Sequence, residues 1–305
     1  MDRKKNAFAP KIWIAARRVR IERALDRALP DARTPPAALH RAMRYSVLAG
    51  GKRLRPLLCL AAAEAVGGAP ATGDDLLRVA AAIELLHTYT LIHDDLPAMD
   101  NDALRRGRPT CHIVFGEATA ILAGDALLTR AFELLGRFNR PPPAATGGRL
   151  TAELAAAAGS RGVVGGQSAD MAAEGRPPTA ARLRFIHRHK TGDLIRAAAR
   201  LGALATGADT RRLAALSRYA DHLGLAFQIR DDLLNATSRP ETLGKAAGSD
   251  AARGKCTWVA LHGIPAARHA VTRKTQAALA ALDGIAWADA RPLRALARLL
   301  QNRDQ

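Results

Sequence analysis

Two short stretches set acids side by side. "DDLPAMDND" carries Asp94, Asp95, Asp100 and Asp102; "IRDDLLN" carries Asp231 and Asp232, with Asn235 where a third carboxylate would fall. Clustered carboxylates repel, and each raises its neighbour's pKa unless a cation stands between them. A bound metal relieves that repulsion. Oxygen donors without His or Cys make a hard site, which favours Mg²⁺ or Mn²⁺ over zinc, and Mg²⁺ commonly binds through one or two carboxylates plus a ligand's phosphates. The acids therefore predict a phosphate-bearing ligand. Cations suited to it stand in tight groups: "GGKRLRP" (50–56), "RRGRPT" (105–110), "HKTG" (189–192), Lys245 and Lys255. Arg offers a planar fork to phosphate oxygens and Lys a mobile point charge. "GGKRLRP" lacks the G-x-x-x-x-G-K-[ST] form of a nucleotide P-loop. Taken singly, each basic group reads as well as charged surface, and "DDLLN" as a solvated helix face or a cap.

The elements that must position these residues are helices. Breakers at 30–36, 66–74, 139–148, 174–178, 205–209 and 236–255 separate Ala/Leu-rich segments of helical length, and alternating strand patterns are absent. The expectation is an all-α bundle of about ten helices in a single domain over residues 1–305, with the basic segment 1–30 packed on it or peripheral. The segment 74–95 opens with acids suited to a helix N-terminus and is expected to run until Pro97 stops it. On it His87, Leu91 and Asp94 share a face, because seven residues return to within about 20°. In the segment 211–235, Gln228, Asp231, Asp232 and Asn235 form one polar stripe at i, i+3, i+4 and i+7.

Composition narrows the partners. Hydrophobic residues are 48% of the 305 and aromatics only 4%, which favours helix. The formal net charge of +18 raises nucleic acid, a membrane surface or an anionic small substrate. Residues 1–30 and 251–305 each hold nine basic and three acidic side chains, and lack the interleaved aromatics, zinc spacing or helix-turn-helix signal of a nucleic-acid module. Nucleic-acid binding is not expected. Cys59, Cys111 and Cys256 are odd in number and far apart, which suits a reducing compartment. The run "IWIAA" ends at Arg17 without a signal-peptide core, and no apolar run is long enough for a membrane span. The chain reads as cytoplasmic.

Taken together the motifs carry a resemblance. "AMRYSVLAGGKRLRP", "LIHDDLPAMDNDALRRGRPTCH", "FGEATAILAGDALL", "GVVGGQSADM", "HKTG", "GLAFQIRDD" and "LGKAAGSD" followed by "GK" make the chain similar to trans-isoprenyl diphosphate synthases of the polyprenyl synthetase family, near bacterial farnesyl and geranylgeranyl diphosphate synthases, over about residues 30–265. The resemblance implies mostly antiparallel helices around a central cavity, the isoprenoid synthase fold, usually as a homodimer. It implies a trinuclear Mg²⁺ clamp, with Mn²⁺ as a substitute: Asp94 and Asp100 as ligands of the first acidic motif, Asp95 supporting them, and Asp231 and Asp232 in the second. Arg105, Lys190, Thr191, Gln228, Lys245 and Lys255 match positions that hold an allylic diphosphate. Lys52, Arg55, His87 and Arg106 match those that hold isopentenyl diphosphate. The implied reaction is head-to-tail prenyl transfer: the allylic diphosphate ionises, the isopentenyl alkene attacks, and a proton leaves. Geranylgeranyl diphosphate synthase, a terpene cyclase and a non-catalytic partner subunit are the alternatives. A cyclase needs no second diphosphate site, which Lys52, Arg55 and Arg106 argue against.

The resemblance makes Tyr89 the floor that stops the product at fifteen carbons. The helical wheel places Thr90 about 40° from Asp94 and Tyr89 about 140° away, so the wheel itself favours Thr90. Departures from the family pattern are Asn235 for the last Asp of the second motif, Asp193 after "KTG", Ile113 after "PTCH", and Trp258–Val259. Asp193 is expected to add negative charge near Lys190. Asp231 is the expected direct ligand, with Asn235 reaching a metal-bound water as an uncharged acceptor.

Overall fold

The computed structural model describes residues 8–67, 73–138, 147–237 and 254–302. Lys245 lies outside the described residues. Helix α4 (Asp74–Asp94) is apolar on almost every face, as a helix enclosed by others must be. Its neighbours are α3 (Leu54–Val66), α6 (Glu117–Gly136) and α10 (Asp193–Ala205), and α10 packs in turn on α11 (Thr210–Thr237). Helices α3 and α10 approach so closely that a Cβ at Gly202 would meet the Cys59 carbonyl oxygen at 2.0 Å. Around them lie α1 (Pro10–Ala28), α2 (Ala37–Val47), α5 (Cys111–Phe115), α7 (Gly147–Ala158), α8 (Val163–Ala173), α9 (Ala180–Ile186), α12 (Trp258–Ala280) and α13 (Arg291–Gln301). Helix α12 bends at Gly263, whose φ is 79°, just before Pro265. The fold is all-α, as the breaker pattern predicts.

Helix α1 shows how the pattern becomes packing. Pro10 opens it at a position where no amide hydrogen bond is lost, and Ile21, Ala24, Leu25 and Ala28 bury one stripe against α3 and α4. Among the described residues no helix is long and apolar enough to cross a membrane.

Two departures from regular helix matter for the site. Between α9 and α10 the chain passes through a π-helical turn, His187–Gly192, which is the sequence "HRHKTG". Such turns cluster at functional positions. The second is a two-stranded hairpin, β1 (Leu104–Arg105) and β2 (Arg108–Pro109), with Leu104 opposite Pro109. Its turn residues Arg106 and Gly107 both have positive φ, 54° and 74°, the backbone of a tight hairpin turn. No strand was expected, because two-residue strands carry no alternation to read.

Candidate active site

The last two turns of α4, the loop after it, α8, the π turn and α11 enclose a cavity of about 600 Å³. Arg55, His87 and Arg106 stand in its wall, with Asp94, Arg105, Lys190, Thr191, Gln228 and Asp231, and Val163, Leu194 and Phe227 supply apolar surface. A smaller polar compartment of about 250 Å³ adjoins it, walled by Asp94, Asp100, Asp170, Asp232, Lys190 and Lys255. Asp94, Arg105, Lys190, Thr191 and Gln228 line both spaces and mark the boundary.

Helix α4 ends at Asp94, slightly before Pro97, and the chain then folds back on itself. The Asp100 amide donates to the Asp94 carbonyl (2.8 Å) and the Asp102 amide to that of Asp95 (3.2 Å). This return, completed by Asn101 at φ 51°, brings Asp100 beside Asp94 despite the five intervening residues. Burial pushes the Asp94 carboxyl up to about 6, with Asp100 and Asp95 adding to the shift against Lys190 and Arg105. Asp95 points elsewhere. Its carboxylate accepts from Arg105 Nε (2.8 and 2.7 Å) and Nη2 (2.5 Å), so it aims that guanidinium along the cavity wall.

The π turn sets Lys190 and Thr191 toward the cavity, and Gly166 of α8 allows the approach: a Cβ there would lie 2.1 Å from the Lys190 amide nitrogen. Lys190 Nζ donates to Asp170 Oδ2 (2.5 Å). Lys255 Nζ donates to Asp100 Oδ1 (2.9 Å) and reaches the same Asp170 oxygen at 3.4 Å. Burial opposes the Asp170 charge, but the two lysines outweigh it and hold the carboxyl below its usual range. Burial likewise opposes the Lys255 charge, and Asp170 and Asp100 raise its pKa regardless. Asp170, within "GGQSADM", was not among the residues the sequence singled out. Asp193 takes a hydrogen bond from His189 Nδ1 (2.7 Å) and lies 3.5 Å from Arg196, so the expected burden on Lys190 falls on those two side chains instead.

On α11, Thr191 Oγ1 donates to Gln228 Oε1 (2.6 Å), and Gln228 Nε2 donates to Asp232 Oδ1 (3.0 Å). Asp232 Oδ2 accepts from the Trp258 amide (2.7 Å), with His187 Nε2 at 3.3 Å. Asp232 is buried and engaged by protein donors, whereas Asp231 faces the main cavity. Asn235 lines neither compartment. The oxygen-only set of Asp94, Asp100 and Asp231 fits a hard divalent cation. Among the described residues no three acids, His or Cys are gathered into a ready-made metal site, since lysines stand between the carboxylates.

Another part of the wall holds Arg55, His87 and Arg106. Arg55 Nε and His87 Nδ1 are buried without a hydrogen-bond partner among the described residues. Burial lowers Arg55 to about 10 against the pull of Glu84 and Asp231, and burial with Arg55 and Arg106 keeps His87 well below its ordinary value. Such atoms call for an anionic ligand. Arg106 donates from Nη1 to the Gly50 carbonyl, and a Cβ on Gly51 would lie 2.5 Å from its guanidinium carbon, which explains the second glycine of "GGKRLRP"; the first has a positive φ of 78°. Tyr89 and Thr90 both line the cavity. The cavity takes residues from roughly 200° of the α4 circumference, so the wheel argument against Tyr89 lapses. The Tyr89 ring meets His93 edge-on at 5.6 Å, and His93 fills the notch left by Gly124 of α6.

Comparison with known proteins adds the following. The polyprenyl synthetase family profile matches residues 36–283. A farnesyl diphosphate synthase of Geobacillus stearothermophilus is 52% identical over 245 residues, covering 80% of this chain and 81% of that protein. Geranylgeranyl pyrophosphate synthase 4 of Arabidopsis thaliana is 41% identical over 301 residues, 98% of this chain and 79% of that one. The crystal structure of geranylgeranyl pyrophosphate synthetase from Pyrococcus horikoshii Ot3 superposes with a TM-score of 0.86 at 29% identity, covering 96% of this chain and 99% of that one.

Proposed function

The chain belongs to the polyprenyl synthetase family, and from that premise we propose that it is a prenyltransferase condensing isopentenyl diphosphate with dimethylallyl or geranyl diphosphate to give farnesyl diphosphate. The observation that supports this reading is one cavity with apolar surface and two sets of cationic and polar side chains in its wall and the adjoining compartment. Arg55, His87 and Arg106 would take isopentenyl diphosphate, and Lys52 would join them by family pattern. Arg105, Lys190, Thr191, Gln228 and Lys255 would take the allylic diphosphate, and Lys245 would join them by family pattern.

Each group has a physical task. Arg105, aimed by Asp95, and the two lysines on Asp170 oppose the charge that grows on the departing diphosphate. Mg²⁺, or Mn²⁺ in its place, held by Asp94, Asp100 and Asp231 with Asp95 and Asp232 behind them, would supply Lewis-acid neutralisation of that diphosphate. Val163, Leu194 and Phe227 keep water from the allylic cation. Thr191 turns an oxygen toward it, and the released diphosphate is the base that takes the proton. An exposed apolar strip on α5 and α6, with Ile113, Val114, Ile121 and Leu122, is the surface on which a second copy would form a homodimer. Three buried free cysteines suit the cytoplasm.

Purified protein with Mg²⁺ and labelled isopentenyl diphosphate should convert dimethylallyl and geranyl diphosphate to a fifteen-carbon product, read by chromatography after dephosphorylation. No incorporation with any allylic partner overturns the proposal. Tyr89→Ala opens the cavity past the His93 contact, and the product should shift to twenty carbons. An unchanged product would place the floor elsewhere. Asn235, expected to reach a metal-bound water, lines neither compartment, so Asn235→Asp should change the Mg²⁺ concentration for half-maximal rate by no more than about twofold, measured by titrating initial rate against Mg²⁺; a fall of about tenfold would mean that the carboxylate reaches the metals.

A further inference from the structure

Within "GGKRLRP" the middle cation behaves unlike its neighbours. Arg53 is 2% exposed and takes the left-handed conformation, φ 51°, which costs a non-glycine residue free energy unless contacts hold it. Four hydrogen bonds take up four of its five N–H donors. Nε and Nη2 donate to the two oxygens of Glu22 at 2.8 and 3.0 Å, Nη1 donates to Glu84 Oε1 at 2.9 Å, and Nη2 also donates to the Val47 carbonyl at 2.7 Å. Glu22 sits on α1 and Glu84 on α4, one turn before His87. Burial works against the Arg53 charge, but the two carboxylates more than compensate and its pKa ends above the ordinary value.

The rest of the loop is pinned from the same sides. Arg18, also on α1, donates from Nη2 to the Gly51 carbonyl at 3.1 Å, and Arg106 donates to the Gly50 carbonyl. Gly50 and Gly51 have φ of 78° and 126°, so three of the four residues 50–53 are held at positive φ. Lys52 and Arg55 leave the chain on either side of Arg53. A guanidinium held through all three of its nitrogens has little freedom to turn, so the chain on both sides of it is constrained with it.

We propose that Glu22 is a positioning residue for the isopentenyl diphosphate subsite: with Glu84 it clamps Arg53, and the clamped Arg53 fixes the directions in which Lys52 and Arg55 meet the diphosphate. The first helix is thereby a working part of the second substrate's site. This rests on the reading of Lys52, Arg55, His87 and Arg106 as that subsite.

Glu22→Gln tests it without dismantling the helix. The Glu22 side chain is 37% exposed, and α1 stays anchored by buried Ile21 and Leu25 and by Trp13 Nε1 and Arg17 Nε on Glu64 (2.7 and 2.8 Å). The amide leaves Arg53 with one charge partner and a broken fork. KM for isopentenyl diphosphate should rise about tenfold, with kcat and the KM for geranyl diphosphate within about twofold of the parent. Calorimetric titration of isopentenyl diphosphate into the free protein should show the same weakening. A fall in melting temperature with both KM values unchanged, or an equal rise in both, overturns the proposal. Arg55→Ala serves as the control on the premise. If the parent binds isopentenyl diphosphate and Arg55→Ala binds it equally well, the subsite reading fails, and this inference with it. If Arg55→Ala loses binding while Glu22→Gln keeps it, only this inference fails.

Discussion

Asp94→Asn is expected to reduce kcat/KM by at least about a thousandfold and, in the same protein, to raise the melting temperature of the metal-free form. The two effects share one cause. Burial holds the Asp94 carboxyl up at about 6, well above the ordinary carboxylate range. A folded-state pKa above the unfolded one means that the folded protein binds the extra proton. This group's contribution to stability is therefore fully present below about pH 4 and is lost as the pH rises through 6. At pH 7.5 the free protein carries an ill-placed negative charge, which a divalent cation would relieve and an amide removes. Water reaches part of the carboxylate, so the gain is roughly 1 kcal/mol, or about 2–4 °C. Scanning calorimetry in chelator should show the variant ahead at pH 7.5 and the gap closing toward pH 4. A variant no more stable at pH 7.5 would mean that Lys190 and Arg105 already balance the charge.

Asp170→Asn should lower kcat/KM for the allylic diphosphate by about a hundredfold, with KM for isopentenyl diphosphate changed by no more than about twofold. One oxygen of Asp170 accepts from Lys190 at 2.5 Å and from Lys255 at 3.4 Å, although the lysines come from the π turn and from the chain before α12. An amide oxygen can still accept one bond but brings no charge to hold two ammonium groups together. The lysines should then drift apart, and the pair that opposes the departing diphosphate would no longer converge. Equal losses for both substrates would mean a collapsed cavity instead, and steady-state kinetics with each substrate varied in turn separates the two outcomes.

Local spacing made part of this site legible. Seven residues separate His87 from Asp94 on one helix, and four separate Gln228 from Asp232, and both pairs face common space in the structure. The residues that stayed hidden depend on pairing across the chain. Arg53 reads as one cation among three until Glu22 and Glu84, each 31 residues away, are seen to enclose it. Asp170 is a lone acid in a glycine-rich stretch until Lys255 arrives from 85 residues downstream. Adjacent acids also look alike in sequence, yet Asp94 and Asp231 face the cavity while Asp95 turns to Arg105 and Asp232 to Trp258 and His187. Neighbours on a helix point about 100° apart, so two identical letters side by side do not say which of them meets the cavity and which meets a protein donor. The α4 wheel erred over Tyr89 because it assumed a flat cavity wall, whereas the cavity wraps the end of that helix.

The chain of contacts from Thr191 through Gln228 to Asp232 has a polarity. A carboxylate has no proton to give, so the amide nitrogen of Gln228 must point at Asp232 and its oxygen must point back at Thr191. That oxygen can only accept, which commits the threonine proton to it. A buried acid that lies outside the main cavity thus fixes the direction of every proton along the chain of contacts, and the orientation of a residue on the cavity wall is decided from behind it before any ligand arrives.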